Sequence, residues 1–134
     1  MDNNTKKIIE ILKKISQKEE TILFCYLFGS RAYGKTIPKS DIDLAVYLNE
    51  EKCKEFFEKR LELIAKFSKK IKKETDVVIL NTAPPFLRYV VLKEGKLIFE
   101  RDEGQRIDFE LKVLNEYFDF KPVLEMYNKH LLTS

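Results

Sequence analysis

The sequence predicts an α/β domain built on a small mixed β-sheet flanked by helices. Apolar residues recur at helical spacing over residues 5–17 and 51–73, whereas TILFCYLF, DIDLAVYL and TDVVIL are short apolar runs rich in aromatic and β-branched residues. Helix and strand signals alternate along the chain, and no stretch is long enough to act as a linker, so residues 1–134 are expected to form a single domain.

Ile8, Ile11, Leu12 and Ile15 fall at i, i+3, i+4 and i+7, which makes residues 5–17 an amphipathic helix. Residues 21–28 are apolar throughout and stop at Gly29-Ser30, as a strand covered on both faces would. A run of turn formers then leads into a second strand at 41–48. Over residues 51–73 the expected inner stripe of a long helix is Phe57, Leu61, Ile64, Phe67 and Ile71. Residues 75–80 give a third strand. Pro84 and Pro85 open a short helix, because proline is tolerated where the first amides are unbonded, and Gly95 ends it. Residues 96–100 form a short strand or hairpin arm. Residues 103–132 are helical again, with a break expected near Pro122.

Composition narrows the function classes. The net charge of +3, from 25 basic and 22 acidic residues, argues against a dedicated nucleic-acid binder but suits a small polyanionic ligand. Cys25 and Cys53 lack metal-ligand or disulfide-framework spacing. No apolar signal core opens the chain and no apolar run approaches ~18 residues, so a cytoplasmic protein is expected. Lys69, Lys70, Lys72 and Lys73 read as a solvated helix end favoured by the helix dipole. Lys35 and Lys39 read as solvated loop lysines, and His130 lies far in sequence from any cluster of reactive groups. Phe109, Tyr117, Phe118, Phe120 and Tyr127 are expected mostly in the core, with any exposed share available to a partner.

The chemistry concentrates between residues 29 and 43. In a strand Asp41 and Asp43 face the same way, about 7 Å apart, and repel unless a cation lies between them. An oxygen-only pair of this kind suits Mg²⁺ shared with substrate phosphates, although a solvated strand edge would show the same two acids. Just upstream, Gly29 lets backbone amides approach a ligand closely, and Ser30 and Arg31 add a hydroxyl and a cation. A helical turn starting there would aim free N–H groups at an anion; alternatively Ser30 is an ordinary N-cap. Together the two segments describe a phosphate cradle facing a carboxylate pair across a cleft.

The run Gly29-Ser30, ten residues, then Asp41-x-Asp43 resembles the signature of the nucleotidyltransferases of the DNA polymerase β superfamily. The fuller string GSRAYGKTIPKSDIDLAVYL, with TDVVILNTAPPFLRYVVLKEGKLIFE downstream, is similar to the minimal nucleotidyltransferases and their MntA-type antitoxin branch. The resemblance implies the nucleotidyltransferase fold and a third metal carboxylate on a neighbouring strand, matched by Asp76, with Glu74 as a weaker substitute. It implies AMP transfer from ATP with two Mg²⁺ ions. Asp41, Asp43 and Asp76 would act as catalytic metal ligands, while Gly29, Ser30 and Arg31 would hold phosphate. It also implies the acceptor, a tyrosine on a partner HEPN-domain ribonuclease toxin that is thereby silenced. The short chain leaves no room for a second, acceptor-seating domain, in keeping with an acceptor presented by another macromolecule. Transfer to a small molecule such as an aminoglycoside, and toxin masking without catalysis, are the competing readings.

Overall fold

In a computed structural model, which describes residues 3–29 and 41–133, the elements run α1 (Asn3–Lys18), β1 (Ile22–Phe28), β2 (Ile42–Leu48), α2 (Phe56–Ile71), β3 (Thr75–Ile79), α3 (Pro85–Glu94), β4 (Lys96–Glu100) and α4 (Glu103–Thr133). The strands form one mixed sheet in the order β3-β2-β1-β4. β1 pairs antiparallel with β2 and β4, and β2 pairs parallel with β3. The parallel pair needs a crossover, and α2 supplies it.

Strand alternation splits the core into two layers. Leu44, Val46 and Leu48 of β2 and Val77 and Ile79 of β3 face α1 and α2, where Leu12, Leu63 and Phe67 are buried against them. Phe24, Tyr26 and Phe28 of β1 and Ala45 of β2 face α3 and α4, meeting Val91, Phe109 and Val113. β1 is therefore buried on both faces, as its unbroken apolar run predicts.

Two expectations need correction. The buried stripe of α2 is Leu63, Phe67 and Ile71, with Phe56 and Ile64 partly buried, whereas Phe57 is 70% exposed and Leu61 49%. Two adjacent phenylalanines each begin a plausible stripe. The one that packs includes position 60, and the charge of Arg60 disguises it in the sequence. The second correction concerns α4, which runs through Pro122 without a break. Proline removes one hydrogen bond and crowds the preceding turn, and the helical bonds on either side carry the element past it.

The ends of α3 follow from its prolines and glycine. Pro85 occupies the first turn, after an extended Pro84. At the other end the Gly95 amide donates to the Val91 carbonyl at 2.7 Å. A Cβ at position 95 would lie 2.4 Å from that oxygen, so only glycine allows the chain to turn directly into β4. Cys25 and Cys53 are free and buried, and burial pushes the Cys25 thiol up to about 12, which makes it unreactive.

A part-buried ion cluster around Glu19, just after α1, ties this end of the helix to α2. Glu19 receives Lys59 at 2.7 Å, Lys66 at 2.6 Å and the Thr21 hydroxyl at 2.9 Å. Burial alone would raise its carboxyl, but the hydrogen bonds from Lys59, Lys66 and Thr21 prevail and hold it at about 2 against an ordinary 4.5. Because the folded value is depressed, its stabilisation is complete above the unfolded value and disappears as pH falls towards 2. Urea titrations at pH 7, 4 and 3 should therefore show a loss on the order of 2 kcal/mol between the extremes that Glu19→Gln does not share. An identical pH profile in the variant would contradict this.

Candidate active site

The carboxylates gather at one end of the sheet because β1 ends where β2 and β3 begin. In the register, Phe28 of β1 is opposite Asp43 of β2, and Asp43 is opposite Asp76 of β3. Registered residues on neighbouring strands share a face, so Asp43 and Asp76 lie side by side on strands about 4.8 Å apart. Both are half-buried. Their face is the one covered by α3 and α4, shared with Ala45.

Asp41 stands one residue before β2, exposed, and the parity it shares with Asp43 places it at the same end. Its amide donates to the Glu74 carbonyl at 2.9 Å, and the Ile42 amide donates to the same oxygen at 3.2 Å. Glu74 thus contributes its backbone to the site by fixing where β2 starts; its side chain is exposed. Gly29 follows β1 directly, beside the strand carrying Asp43. Ser30 and Arg31, together with Lys35 and Lys39, lie outside the described residues.

Arg60 is the residue that sequence reasoning missed. β3 is an edge strand, and edge strands leave outward backbone groups without a strand partner. Arg60 reaches from α2 to this edge, where its Nε donates to the Val77 carbonyl at 2.7 Å and its Nη2 to Asp76 Oδ1 at 2.8 Å. The Val77 amide also donates to Oδ1, at 2.9 Å. One oxygen of Asp76 is thus held by two donors, which fixes the carboxylate rotamer and puts a cation beside the acidic pair. The available signal was an arginine four residues after Phe56 and three before Leu63, on the inward face of α2.

Among the described residues, no three carboxylate, histidine or cysteine side chains converge closely enough to hold a metal ion. The donor set nevertheless fits a hard divalent cation: two carboxylates in register on adjacent strands, a third at the same end, and oxygen donors only.

Residues 6–104 match the family described as polymerase beta, nucleotidyltransferase. The chain belongs to the polymerase β nucleotidyltransferase family. Within it, the chain is 31% identical over 114 residues to the protein adenylyltransferase MntA of Shewanella oneidensis, covering 85% of this chain and 77% of that protein. It is 25% identical over 121 residues to its namesake from Aphanizomenon flos-aquae, covering 85% and 81%. These relatives place it in the MntA-type branch. The fold is also that of a chain in a toxin–antitoxin crystal structure with AMP-PNP, with a TM-score of 0.65 and 24% identity over 98% of this chain and 99% of that one. A chain in the complex of tri-AMPylated Shewanella oneidensis HEPN toxin with MNT antitoxin gives a TM-score of 0.64 and 22% identity, covering 96% of each. No helix among the described residues is long and apolar enough to cross a membrane.

Proposed function

We propose that this chain, as a single minimal nucleotidyltransferase domain, transfers AMP from ATP to a tyrosine hydroxyl of a partner HEPN-domain toxin and so acts as the antitoxin of the pair. The observation that carries this reading is the register Phe28–Asp43–Asp76, which sets two carboxylates beside the strand end from which Gly29 emerges. The MntA relatives and the AMPylated HEPN complex supply the acceptor class. The setting is the cytoplasm, and no nucleic acid is required.

The Gly29 amide, Ser30 and Arg31 grip the β- and γ-phosphates of ATP. Asp41, Asp43 and Asp76 would hold Mg²⁺, as two ions, which would supply charge neutralisation at the phosphates and at the attacking and leaving oxygens. Asp43 and Asp76 face the α-phosphorus. The acceptor oxygen attacks that phosphorus, the bond from it to the bridging oxygen breaks, and pyrophosphate leaves with the electron pair. The hydroxyl proton passes to the Asp76 carboxylate oxygen not held by Arg60, and from there to solvent. The protein's share is positioning and electrostatic stabilisation, where phosphate chemistry gains most of its rate.

The test is the intact mass of a HEPN-domain toxin after incubation with this chain, ATP and Mg²⁺. A gain of one or more AMP units, lost when Mg²⁺ is chelated, is expected. An unmodified toxin that is nevertheless neutralised would replace the proposal with masking by binding alone, and labelled aminoglycosides with an unlabelled toxin would replace it with small-molecule transfer.

A further inference from the structure

We infer that Arg60 is a positioning residue that sets the cation preference of the carboxylate site. By occupying one oxygen of Asp76 it leaves that residue a single oxygen for a metal, which favours Mg²⁺ over the larger Ca²⁺. The inference rests on the proposed metal-binding role of Asp76 and adds the residue that decides which divalent ion that role suits.

A carboxylate oxygen accepts about two hydrogen bonds, one for each lone pair. On Asp76 Oδ1 both are taken, by Arg60 Nη2 at 2.8 Å and by the Val77 amide at 2.9 Å. The guanidinium is held in register with the carboxylate, because its Nε donates at the same time to the Val77 carbonyl at 2.7 Å. Residues 76 and 77 thus present two acceptors matched to the fixed fork of an arginine. A lysine ammonium, a point charge on a flexible stem, offers no such preset pair of donors. Arg60 is itself confined. It lies on the inward side of α2, one turn from Phe56 and from Ile64, both partly buried against the core.

Mg²⁺ and Ca²⁺ carry the same charge and differ in what they ask of a carboxylate. Ca²⁺ takes about six to eight oxygens in flexible geometry and accepts both oxygens of one carboxylate, whereas Mg²⁺ demands near-octahedral order and fewer protein ligands. A carboxylate with one oxygen already saturated satisfies Mg²⁺ and denies Ca²⁺ its two-oxygen mode. The positive charge of Arg60 opposes both ions to a similar extent, so it largely cancels in the ratio of their affinities. Denial of the two-oxygen mode does not cancel.

The experiment titrates Mg²⁺ and, separately, Ca²⁺ into the chain saturated with AMP-PNP by calorimetry, with the titration of nucleotide alone subtracted. The parent is compared with Arg60→Lys, which keeps the charge and loses the fork, and with Arg60→Met, which loses both. In each variant Ca²⁺ should gain on Mg²⁺ about tenfold in the ratio of Kd values, a difference of about 1.4 kcal/mol. In an Asp76→Ala background the same substitutions should leave the ratio where it was, because Arg60 acts through that carboxylate. The ratio reads folded molecules only, and Arg60→Lys decides the outcome if Arg60→Met is too unstable to titrate. A ratio within about twofold of the parent in Arg60→Lys, or an equal shift without the Asp76 carboxylate, overturns the inference and spares the proposed function. A parent chain that adds nothing to the nucleotide's own affinity for either ion overturns the metal site and the inference together.

Discussion

Asp43→Ala is expected to lower AMP transfer by about 10³-fold or more while the protein stays folded. Asp43 is the middle member of the row formed with Phe28 and Asp76, and the carboxylate nearest to both the β1 turn and Asp76. If Asp43 holds Mg²⁺ as proposed, its loss removes several kcal/mol of transition-state stabilisation, and each 1.4 kcal/mol is tenfold in rate. The fold should tolerate the change. Backbone pairing of β2 with β1 and β3 does not depend on this side chain. Stability within about 1 kcal/mol of the parent is expected from urea unfolding. Transfer above a tenth of the parent rate in a fully folded variant would remove Asp43 from the chemistry.

The second large effect falls on stability. Phe24 lies in the central strand β1, fully buried on the face that carries the carboxylates. Its ring stacks on Tyr47 at 4.8 Å with an interplanar angle of 4°, meets Tyr26 edge-on at 6.0 Å and packs against Phe109 of α4 at 5.5 Å. Phe24→Ala removes the ring on which these contacts converge and leaves a cavity under α4. A loss of about 3–5 kcal/mol follows, with a drop in melting temperature on the order of 10 °C or more. Phe24→Leu fills most of the space and should cost markedly less. A loss below about 1 kcal/mol for the alanine variant would show that α4 does not depend on this cluster. Because Phe24 is far along β1 from Asp43, the folded fraction of the variant should keep its rate per molecule.

Much of this architecture is legible in the sequence, for physical reasons. β1 shows itself because a strand covered on both faces has no polar positions, and Gly95 stands where the chain must turn without a side chain. Gly29 and the Asp41-x-Asp43 pair are each ambiguous alone and become legible as a candidate site only through their joint spacing, with strand parity indicating which acids share a face. Asp76 is harder to place. An acid opening a strand is suspicious in the sequence, but only parallel pairing with β2 brings it opposite Asp43, and pairing partners are a tertiary property. Arg60 stays hidden for the opposite reason. Periodicity assigns inward positions to apolar residues, so a charged side chain that turns inward to hold an edge carbonyl and Asp76 also misdirects the reading of α2 towards Phe57 and Leu61. Pro122 shows a similar limit, because a local helix breaker is overridden when the helix on both sides is long.

In the proposed reaction the row Phe28–Asp43–Asp76 directs attack on the α-phosphorus of ATP, and AMP passes to the partner. Parallel incubations of the chain and the HEPN-domain protein with ATP labelled at the α- or the γ-phosphorus test it most directly. The expected result is α-label on the partner and γ-label released as pyrophosphate, with neither signal from Asp43→Ala; γ-label on the partner, or α-label transferred equally well by Asp43→Ala, would rule this chemistry out.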